Sequence, residues 1–441
     1  MPGAGDLIER GLKHHRAGER EQAERLYRAA LQKDPGNADA LHLLGLLAKE
    51  AGDHPRAYEL IKQAVKRQPN AALLHNNLGA VLESLERLDE AIRSYESALR
   101  IQPGYAEAEL NMGNVLLRKG RLEEAVEHYE RAVAARPDLA EARNNLGVAL
   151  RALGRKERAV ECFREALRLN PDYADAHINL GALLFAQGEF AEAERAFREA
   201  LRLRPELPDI RRALIVTIIR QERFAEAEAL CRKNLGRQPD DAEAANFLGI
   251  ALQMQGRFAE AIASYREALK GRPEYAEAHH NLATCYLSRN RLEEAIACAK
   301  EALRIHPRYA EAHNTLGHAL VRAGWTGDAI ASYRLALALK PGWPEALSNL
   351  ASALIETNRL EQAVQAAREA AAADPKFFPA FSNLGAALYQ QGRVEEAVQA
   401  FRQALALRPD FAPAHSNLLY CLNYDARWTP AEIFEEHRAW A

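Results

Sequence analysis

Asparagine recurs along this sequence at a constant interval. An amide side chain offers a hydrogen-bond donor and an acceptor, the two kinds of group that a peptide bond needs from a partner. Asparagine also costs roughly half a kcal/mol of helix propensity relative to alanine, so its repeated use in helices needs a reason. The residue type and the spacing therefore predict backbone hydrogen bonds to a bound polypeptide. The candidate peptide-binding residues, 34 residues or whole multiples of 34 apart, are Asn77, Asn111, Asn145, Asn179, Asn281, Asn349, Asn383 and Asn417.

No motif in the sequence predicts catalysis. We find no GxxxxGK phosphate loop, no GxSxG, no HExxH and no glycine-rich dinucleotide turn. The five cysteines form no CxxC pair and suit no zinc spacing, so they are predicted to be small core residues. We therefore expect no catalytic residue, metal site or cofactor in this chain. The cysteines are Cys162, Cys231, Cys285, Cys298 and Cys421.

A period of 34 residues organises the whole chain. Proline occurs at every 34th residue from Pro35 to Pro409, and alanine does so from Ala23 to Ala431. A third register is mostly glycine. Three registers held over the chain length identify an array of repeats, which determines the fold before any single motif does.

Each repeat is predicted to form two helices. In Ala106–Leu139 the first helix is predicted to end near Gly120, because glycine adopts a left-handed conformation without strain. The second helix carries Ala125, Tyr129 and Ala132 on one face. The small residues predict a close approach of the two helices, with the tyrosine filling the space beside them.

The predicted fold is all-α, a right-handed superhelical solenoid of antiparallel helix pairs whose first helices line the concave side. We expect a tail at 1–3, twelve repeats at 4–411, and an incomplete divergent repeat at 412–441 that forms a cap or a junction to a further domain. Repeat 208–241 has Ile215 where others have glycine and Cys231 where others have an aromatic residue. That repeat is expected to be the least regular.

The recurring asparagine stands at position 6 when the first-helix glycine is numbered 8. Positions 4, 7, 8 and 11 form the packed face, so position 6 is predicted to point into the groove. The alternative is that these asparagines bond to neighbouring helices and fix the superhelical pitch. Five histidines at position 4 are predicted to be core or boundary residues: His75, His177, His279, His313 and His415. Five repeats depart from asparagine at position 6, with Glu9, Leu43, Ala213, Phe247 and Thr315.

Composition narrows the class of partner. The net charge is −3, and acidic and basic residues are interleaved. The sequence therefore gives no indication of a basic surface for nucleic acid or for an anionic membrane. The first residues lack an apolar run of signal-peptide length, and the most apolar stretch, 213–219, is too short to span a bilayer. We therefore expect a cytoplasmic module that binds protein or extended peptide segments in its groove.

The period, with glycine, Tyr or Phe, two alanines and proline in each unit, resembles the tetratricopeptide repeat family. The asparagine series is similar to the repeat arm of O-linked N-acetylglucosamine transferases and SPINDLY-like bacterial glycosyltransferases. The stretch "AHSNLLYCLNYDARWTPAEIFEEHRAWA", residues 414–441, resembles the segment by which bacterial members leave their repeats. The resemblance implies an arm that recognises acceptor proteins, with a UDP-sugar donor only if a catalytic domain follows. The alternative is a stand-alone scaffold or co-chaperone, so whether the protein is an enzyme stays open.

Overall fold

The computed structural model describes residues 3–424 and 428–440, and the side chains of all these except 439 and 440. The described residues form 26 helices and no strand, so the all-α prediction is confirmed. Residues 1–2 of the predicted tail and the side chain of Trp440 lie outside the described part. No helix among the described residues is long and apolar enough to cross a membrane.

The chain divides into two compact units, Met1–Thr217 and Ile218–Ala441. The division falls within one helix of the predicted array. The helices of the first unit, with the dividing helix last, are α1 (Ala4–Arg16), α2 (Arg20–Lys33), α3 (Ala38–Glu50), α4 (His54–Arg67), α5 (Ala72–Ser84), α6 (Leu88–Ile101), α7 (Ala106–Arg118), α8 (Leu122–Ala135), α9 (Ala140–Ala152), α10 (Lys156–Leu169), α11 (Ala174–Gln187), α12 (Phe190–Leu203) and α13 (Pro208–Arg220).

The second unit continues the alternation of first and second helices. Its helices are α14 (Phe224–Arg237), α15 (Ala242–Met254), α16 (Phe258–Gly271), α17 (Ala276–Ser288), α18 (Leu292–Ile305), α19 (Ala310–Arg322), α20 (Thr326–Leu339), α21 (Pro344–Glu356), α22 (Leu360–Ala373), α23 (Phe378–Gln390), α24 (Val394–Leu407), α25 (Ala412–Asn423) and α26 (Pro430–Trp440).

In the twelve pairs from α1–α2 to α23–α24, the turn inside the pair has a left-handed residue, as the sequence predicts. Gly120 has φ of 72° and Asn290 has φ of 58°. Glu86 and Glu222 adopt the same conformation, with φ of 58°, although glutamate is not favoured there. The repeat geometry therefore imposes this backbone conformation even where the residue type does not prefer it.

Glycine at position 8 lets the two helices of a pair approach closely. A Cβ atom built on Gly147 would lie 2.6 Å from Cε1 of Phe163, which is fully buried. The same relation joins Gly113 to Tyr129 at 2.6 Å. Two pairs have alanine both at position 8 and at the aromatic position, namely Ala283 with Ala299 and Ala351 with Ala367. The predicted role of glycine, alanine and the aromatic residue is confirmed.

Within each compact unit the first helices form an inner row. First helices of successive pairs contact each other directly, as α5 contacts α7 and as α21 contacts α23. Among the described residues, second helices of successive pairs make no contact of similar extent. Each row therefore packs more closely on its first-helix side.

The two divergent repeats keep the helix-pair arrangement. In repeat 208–241 the helices α13 and α14 have the usual 13 and 14 residues, and both Ile215 and Cys231 are buried. The expected irregularity therefore does not appear in helix length. The last pair is shorter, with 12 and 11 residues, and Phe434 on α26 is 62% exposed.

Candidate functional site

The recurring asparagines lie on first helices, four in each compact unit. Helical geometry of roughly 100° per residue places positions 2, 6, 9 and 13 within about 60° of one another, opposite the packed positions. We call this surface of a first helix its inner face. Seven of the asparagines are half-buried, and Asn417 is exposed.

Most of these asparagines donate a hydrogen bond to the preceding repeat. The Nδ2 atom at position 6 reaches the side chain at position 5 of the previous first helix. The bonds are Asn77 to Nε2 of His42 (2.7 Å), Asn111 to Oδ1 of Asn76 (3.0 Å), Asn179 to Oδ1 of Asn144 (3.0 Å), Asn281 to Oδ1 of Asn246 (3.0 Å) and Asn349 to Oδ1 of Asn314 (3.1 Å).

The remaining three asparagines differ in their partners. Asn145 donates to Oδ1 of Asn114 at 2.9 Å, because position 5 of the preceding helix is the apolar Leu110. Asn383 donates to both the backbone oxygen and the hydroxyl of Ser348, at 2.9 Å each. Asn417 makes no side-chain hydrogen bond among the described residues. The bonds between repeats that the alternative interpretation requires are therefore present at seven of the eight positions.

In the first unit these bonds join into a directional chain. Asn111 donates to Asn76, the Nδ2 of Asn76 lies 3.5 Å from Oδ1 of Asn77, and Asn77 donates to His42. His42 must accept at Nε2, which requires a neutral ring with its proton on Nδ1. Burial lowers the pKa of His42 and so favours this neutral form.

A second chain lies further along the same row. Asn179 donates to Asn144, which donates to Asn145 at 3.0 Å, which in turn donates to Asn114. The hydroxyl of Tyr129 also donates to Oδ1 of Asn114, at 2.8 Å. Side-chain amides thus connect three successive pairs, which makes the spacing of first helices dependent on their hydrogen bonds.

At four of the eight positions the amide is bonded, within the described part of the chain, through its nitrogen alone and its oxygen is free, whereas Oδ1 of Asn77, Asn145 and Asn179 accepts a hydrogen bond. Among the described residues no group donates to Oδ1 of Asn111, Asn281, Asn349 or Asn383. With the nitrogen bonded to the neighbouring repeat, the oxygen is the atom that can meet a ligand. A partly exposed amide oxygen accepts an N–H group, so these positions suit the donors of an extended backbone.

Sequence reasoning missed position 5, although a signal was present. The residue at position 5 of one repeat and that at position 6 of the next are 35 residues apart and match in polarity in ten of the twelve pairs, the exceptions being Leu110 with Asn145 and Arg212 with Phe247. The apolar Ile8 precedes Leu43, and Ile178 precedes Ala213, while the polar Asn246 precedes Asn281. Burial accounts for this match, because an unpaired polar group at this contact would lose its hydrogen bond to water.

The histidines at position 4 form hydrogen bonds to the turns between repeats. Each is half-buried, and its Nε2 lies close to the backbone oxygen of the proline six residues earlier, which accepts the hydrogen bond. The prediction of a boundary position is confirmed. The distances to that oxygen are 2.8 Å for His75, 2.9 Å for His177, 3.0 Å for His279, 3.0 Å for His313 and 2.8 Å for His415.

The cysteines pack in the interior. Cys231, Cys285 and Cys421 are buried, and Cys162 and Cys298 are half-buried, which agrees with their predicted role as core residues. Burial raises the pKa of Cys231 to about 12 and that of Cys285 to about 11, so both are held as thiols. In the described part of the chain no three His, Cys, Asp or Glu side chains come together as a metal site would need.

Comparison with known proteins identifies the repeat. A model of the tetratricopeptide repeat matches residues 14–80, 184–249, 252–319 and 320–388. Further models of the same repeat match 70–138, 104–171, 149–208 and 385–418. No curated protein sequence matches the chain.

Solved structures that are similar to the chain include Cut9–Hcn1, YrrB and MamA. The APC/C hetero-tetramer Cut9–Hcn1 is 15% identical with a TM-score of 0.47, over 99% of this chain and 93% of that chain. YrrB, described as a TPR protein with an unusual peptide-binding site, is 22% identical with a TM-score of 0.37, over 42% and 95%. MamA is 27% identical with a TM-score of 0.35, over 37% and 96%.

Proposed function

The chain belongs to the tetratricopeptide repeat family, and on that premise we propose that its rows of first helices bind extended polypeptide segments through their backbone. The observation that carries this proposal is the free amide oxygen at position 6. Asn281, Asn349 and Asn383 each present a partly exposed Oδ1 whose orientation is fixed by the bond that Nδ2 makes to the preceding repeat. A fixed acceptor loses little freedom on binding, which favours the complex.

The spacing of these oxygens suits an extended chain. Neighbouring helices pack about 8–10 Å apart, and an extended strand advances about 3.3 Å per residue. Asn349 and Asn383, in successive repeats, would therefore meet backbone N–H groups roughly three residues apart. Hydrogen bonds to the peptide backbone do not depend on the side chains of the ligand, so the groove should bind peptides of many different sequences.

The test separates binding from packing with matched variants. The triple variant Asn281→Ala, Asn349→Ala and Asn383→Ala removes the oxygens. The control triple, Asn246→Ala, Asn314→Ala and Ser348→Ala, removes side-chain acceptors at position 5 and leaves position 6 intact. Dissociation constants come from fluorescence anisotropy with labelled peptides drawn from a random-sequence library, and stability comes from thermal melting.

We expect the position 6 variant to weaken peptide binding by about 1.5–4.5 kcal/mol, or roughly 10- to 1,000-fold, from three hydrogen bonds of about 0.5–1.5 kcal/mol each. The control triple should lower the melting temperature and keep most of the affinity. N-methylation of the peptide at the contacting residues should weaken binding, because it removes the N–H donor. Equal loss of affinity in both triples would refute a direct role for the oxygens.

We also propose a finer role, the acceptor-protein-recognition arm of an O-linked N-acetylglucosamine-transferase-like glycosyltransferase. The support is the asparagine series at position 6 and the resemblance carried by 414–441. The catalytic domain and its UDP-sugar donor would lie outside this chain. Transfer from UDP-GlcNAc to serine or threonine of a protein acceptor, measured with the protein as its gene encodes it, tests this role.

The position 6 triple should reduce transfer to protein acceptors more than transfer to short peptides that do not reach the arm. Absence of transfer by the full gene product would instead favour a stand-alone scaffold or co-chaperone. The peptide-binding proposal is independent of that result.

A further inference from the structure

The first helices α23 and α25 differ from all others in charge. Their sequences, FPAFSNLGAALYQ and APAHSNLLYCLN, contain no Asp, Glu, Lys or Arg. Every other first helix carries at least one such residue, and α21 has a glutamate near each end. A ligand on α23 and α25 therefore meets no Asp, Glu, Lys or Arg side chain on the helices that it contacts.

Three tyrosines cluster at these two helices. The ring centroid of Tyr389 on α23 lies 5.5 Å from that of Tyr420 on α25 and 6.4 Å from that of Tyr424, the residue that directly follows α25. Tyr420 and Tyr424 are 5.1 Å apart, with their hydroxyl groups 3.3 Å from each other. Tyr420 is 53% exposed and Tyr424 is 63% exposed, so much of their ring surface meets solvent.

An exposed amide completes this surface. Asn417 and Tyr420 stand at positions 6 and 9 of α25, on its inner face, and Tyr424 directly follows the helix at position 13 of the repeat. Asn417 is the one recurring asparagine whose nitrogen makes no bond to the preceding repeat within the described residues. This surface, which we call the tyrosine face, therefore presents hydrogen-bond donors as well as aromatic rings, whereas Asn281, Asn349 and Asn383 present oxygens.

We propose that the tyrosine face binds an uncharged, proline-rich segment in the polyproline II conformation, as one part of the polypeptide groove proposed above. Proline residues lack an N–H donor and leave their carbonyl groups free, which suits the donors Nδ2 of Asn417 and the tyrosine hydroxyls. Aromatic-lined grooves take such segments because the polyproline II helix is already formed before binding. Charged residues in the segment would find no opposite charge on α23 or α25.

The dimensions agree with this ligand. Polyproline II rises about 3.1 Å per residue, so the 5.1–6.4 Å between ring centroids corresponds to about two residues. Two prolines separated by one residue can therefore pack on adjacent rings. An N–H donor is not needed at either position, in contrast to the contacts proposed for Asn349 and Asn383.

The experiment uses fluorescein-labelled peptides and the whole chain. The probe is a twelve-residue peptide of proline, serine and threonine, and its matched controls replace every proline by alanine or every serine by glutamate. The variant is Tyr420→Ala with Tyr424→Ala. Its control is Leu335→Ala, a side chain that is half-exposed on the second helix α20. Thermal melting of each variant confirms folding, and Tyr420→Phe with Tyr424→Phe keeps the rings without their hydroxyl groups.

We expect the proline peptide to bind roughly tenfold more tightly than either control peptide, and the tyrosine-to-alanine variant to lose roughly that factor. The Leu335→Ala variant should bind the proline peptide as the parent does. Equal affinity for the proline and alanine peptides, no binding of the proline peptide, or no effect of the tyrosine changes would overturn the proposal. If library peptides still depend on position 6, only the tyrosine-face proposal has failed and the groove stands.

Discussion

The contact between Gly147 and Phe163 predicts that the effect of Gly147→Ala on stability depends on whether residue 163 is phenylalanine or alanine. A Cβ atom on Gly147 would lie 2.6 Å, 2.9 Å and 3.0 Å from three ring atoms of Phe163. Carbon atoms in favourable contact are about 3.5–4.0 Å apart, so Gly147→Ala overlaps the ring by about 1 Å. Overpacking of this kind costs about 1–3 kcal/mol.

Helix propensity acts in the opposite direction. Alanine favours a helix interior over glycine by about 1 kcal/mol, so Gly147→Ala alone should destabilise by about 0–2 kcal/mol. In the background of Phe163→Ala the ring is absent, and the same change should stabilise by about 1 kcal/mol. The coupling energy in the double-mutant cycle is therefore about 1–3 kcal/mol. The chain's own alanine pairs, such as Ala283 with Ala299, already show that small residues at both positions are compatible with the fold.

Native-state hydrogen exchange of the α9 and α10 amides measures this coupling, because neighbouring pairs of a repeat array can open separately. Gly236→Ala is the control. Gly236 is a helical glycine with no atom within 4 Å of a built Cβ, so this change should stabilise by up to about 1 kcal/mol. Equal destabilisation by Gly147→Ala in both backgrounds would show that the ring contact does not select glycine.

Three further predictions concern His42, His313 and Cys231, whose contacts are known from the structure and not from the repeat period alone. Burial lowers the pKa of His42 below its usual 6.5, so its contribution to stability is present above pH 6.5 and is lost as pH falls through the folded pKa. Thermal melting between pH 7 and about pH 5 should show this loss of stability, and the loss should be smaller in the His42→Gln variant. If the variant showed the same pH dependence as the parent, His42 would not act as a neutral hydrogen-bond acceptor. His313→Ala removes the hydrogen bond to the backbone oxygen of Pro307 and should lower the free energy of local unfolding by about 0.5–1.5 kcal/mol. Hydrogen exchange should show lower protection of the nearby amides, while Pro307 keeps its conformation. Cys231, with its pKa raised to about 12, should react with iodoacetamide at pH 8 only after unfolding, and rapid labelling of the native chain would contradict its burial.

The fold was predictable because it depends on local rules repeated many times. Proline and glycine at fixed intervals end helices, and an alanine face indicates where helices meet. The twelve alanines of that register from Ala23 to Ala397 are all fully buried, while Ala431 of the last pair is exposed. The alanine positions thus predicted the core of the first twelve helix pairs. They could not show that the last pair leaves its alanine exposed.

The candidate site was only partly predictable. Position 6 was recognised from its residue type, and its place on the first helix follows from helical spacing. The use of Nδ2 in bonds to the preceding repeat was named only as the alternative, and the acceptors at position 5, such as Asn246 and Asn314, were missed. The direction in which an amide is oriented depends on a neighbour 35 residues away, which no local pattern specifies.

The sequence by itself determined the helix pairs, their period and the residues that stand in register, because each follows from propensity and spacing within about 34 residues. Only the tertiary structure decided which end of each asparagine is engaged, that Tyr389 meets Tyr420 and Tyr424 across two helices, and that Asn417 lacks the bond made by its counterparts. Those features depend on distances of a few ångströms between helices of different repeats. Burial and hydrogen bonding across that contact, not the sequence within one repeat, determine which atoms stay available to a ligand.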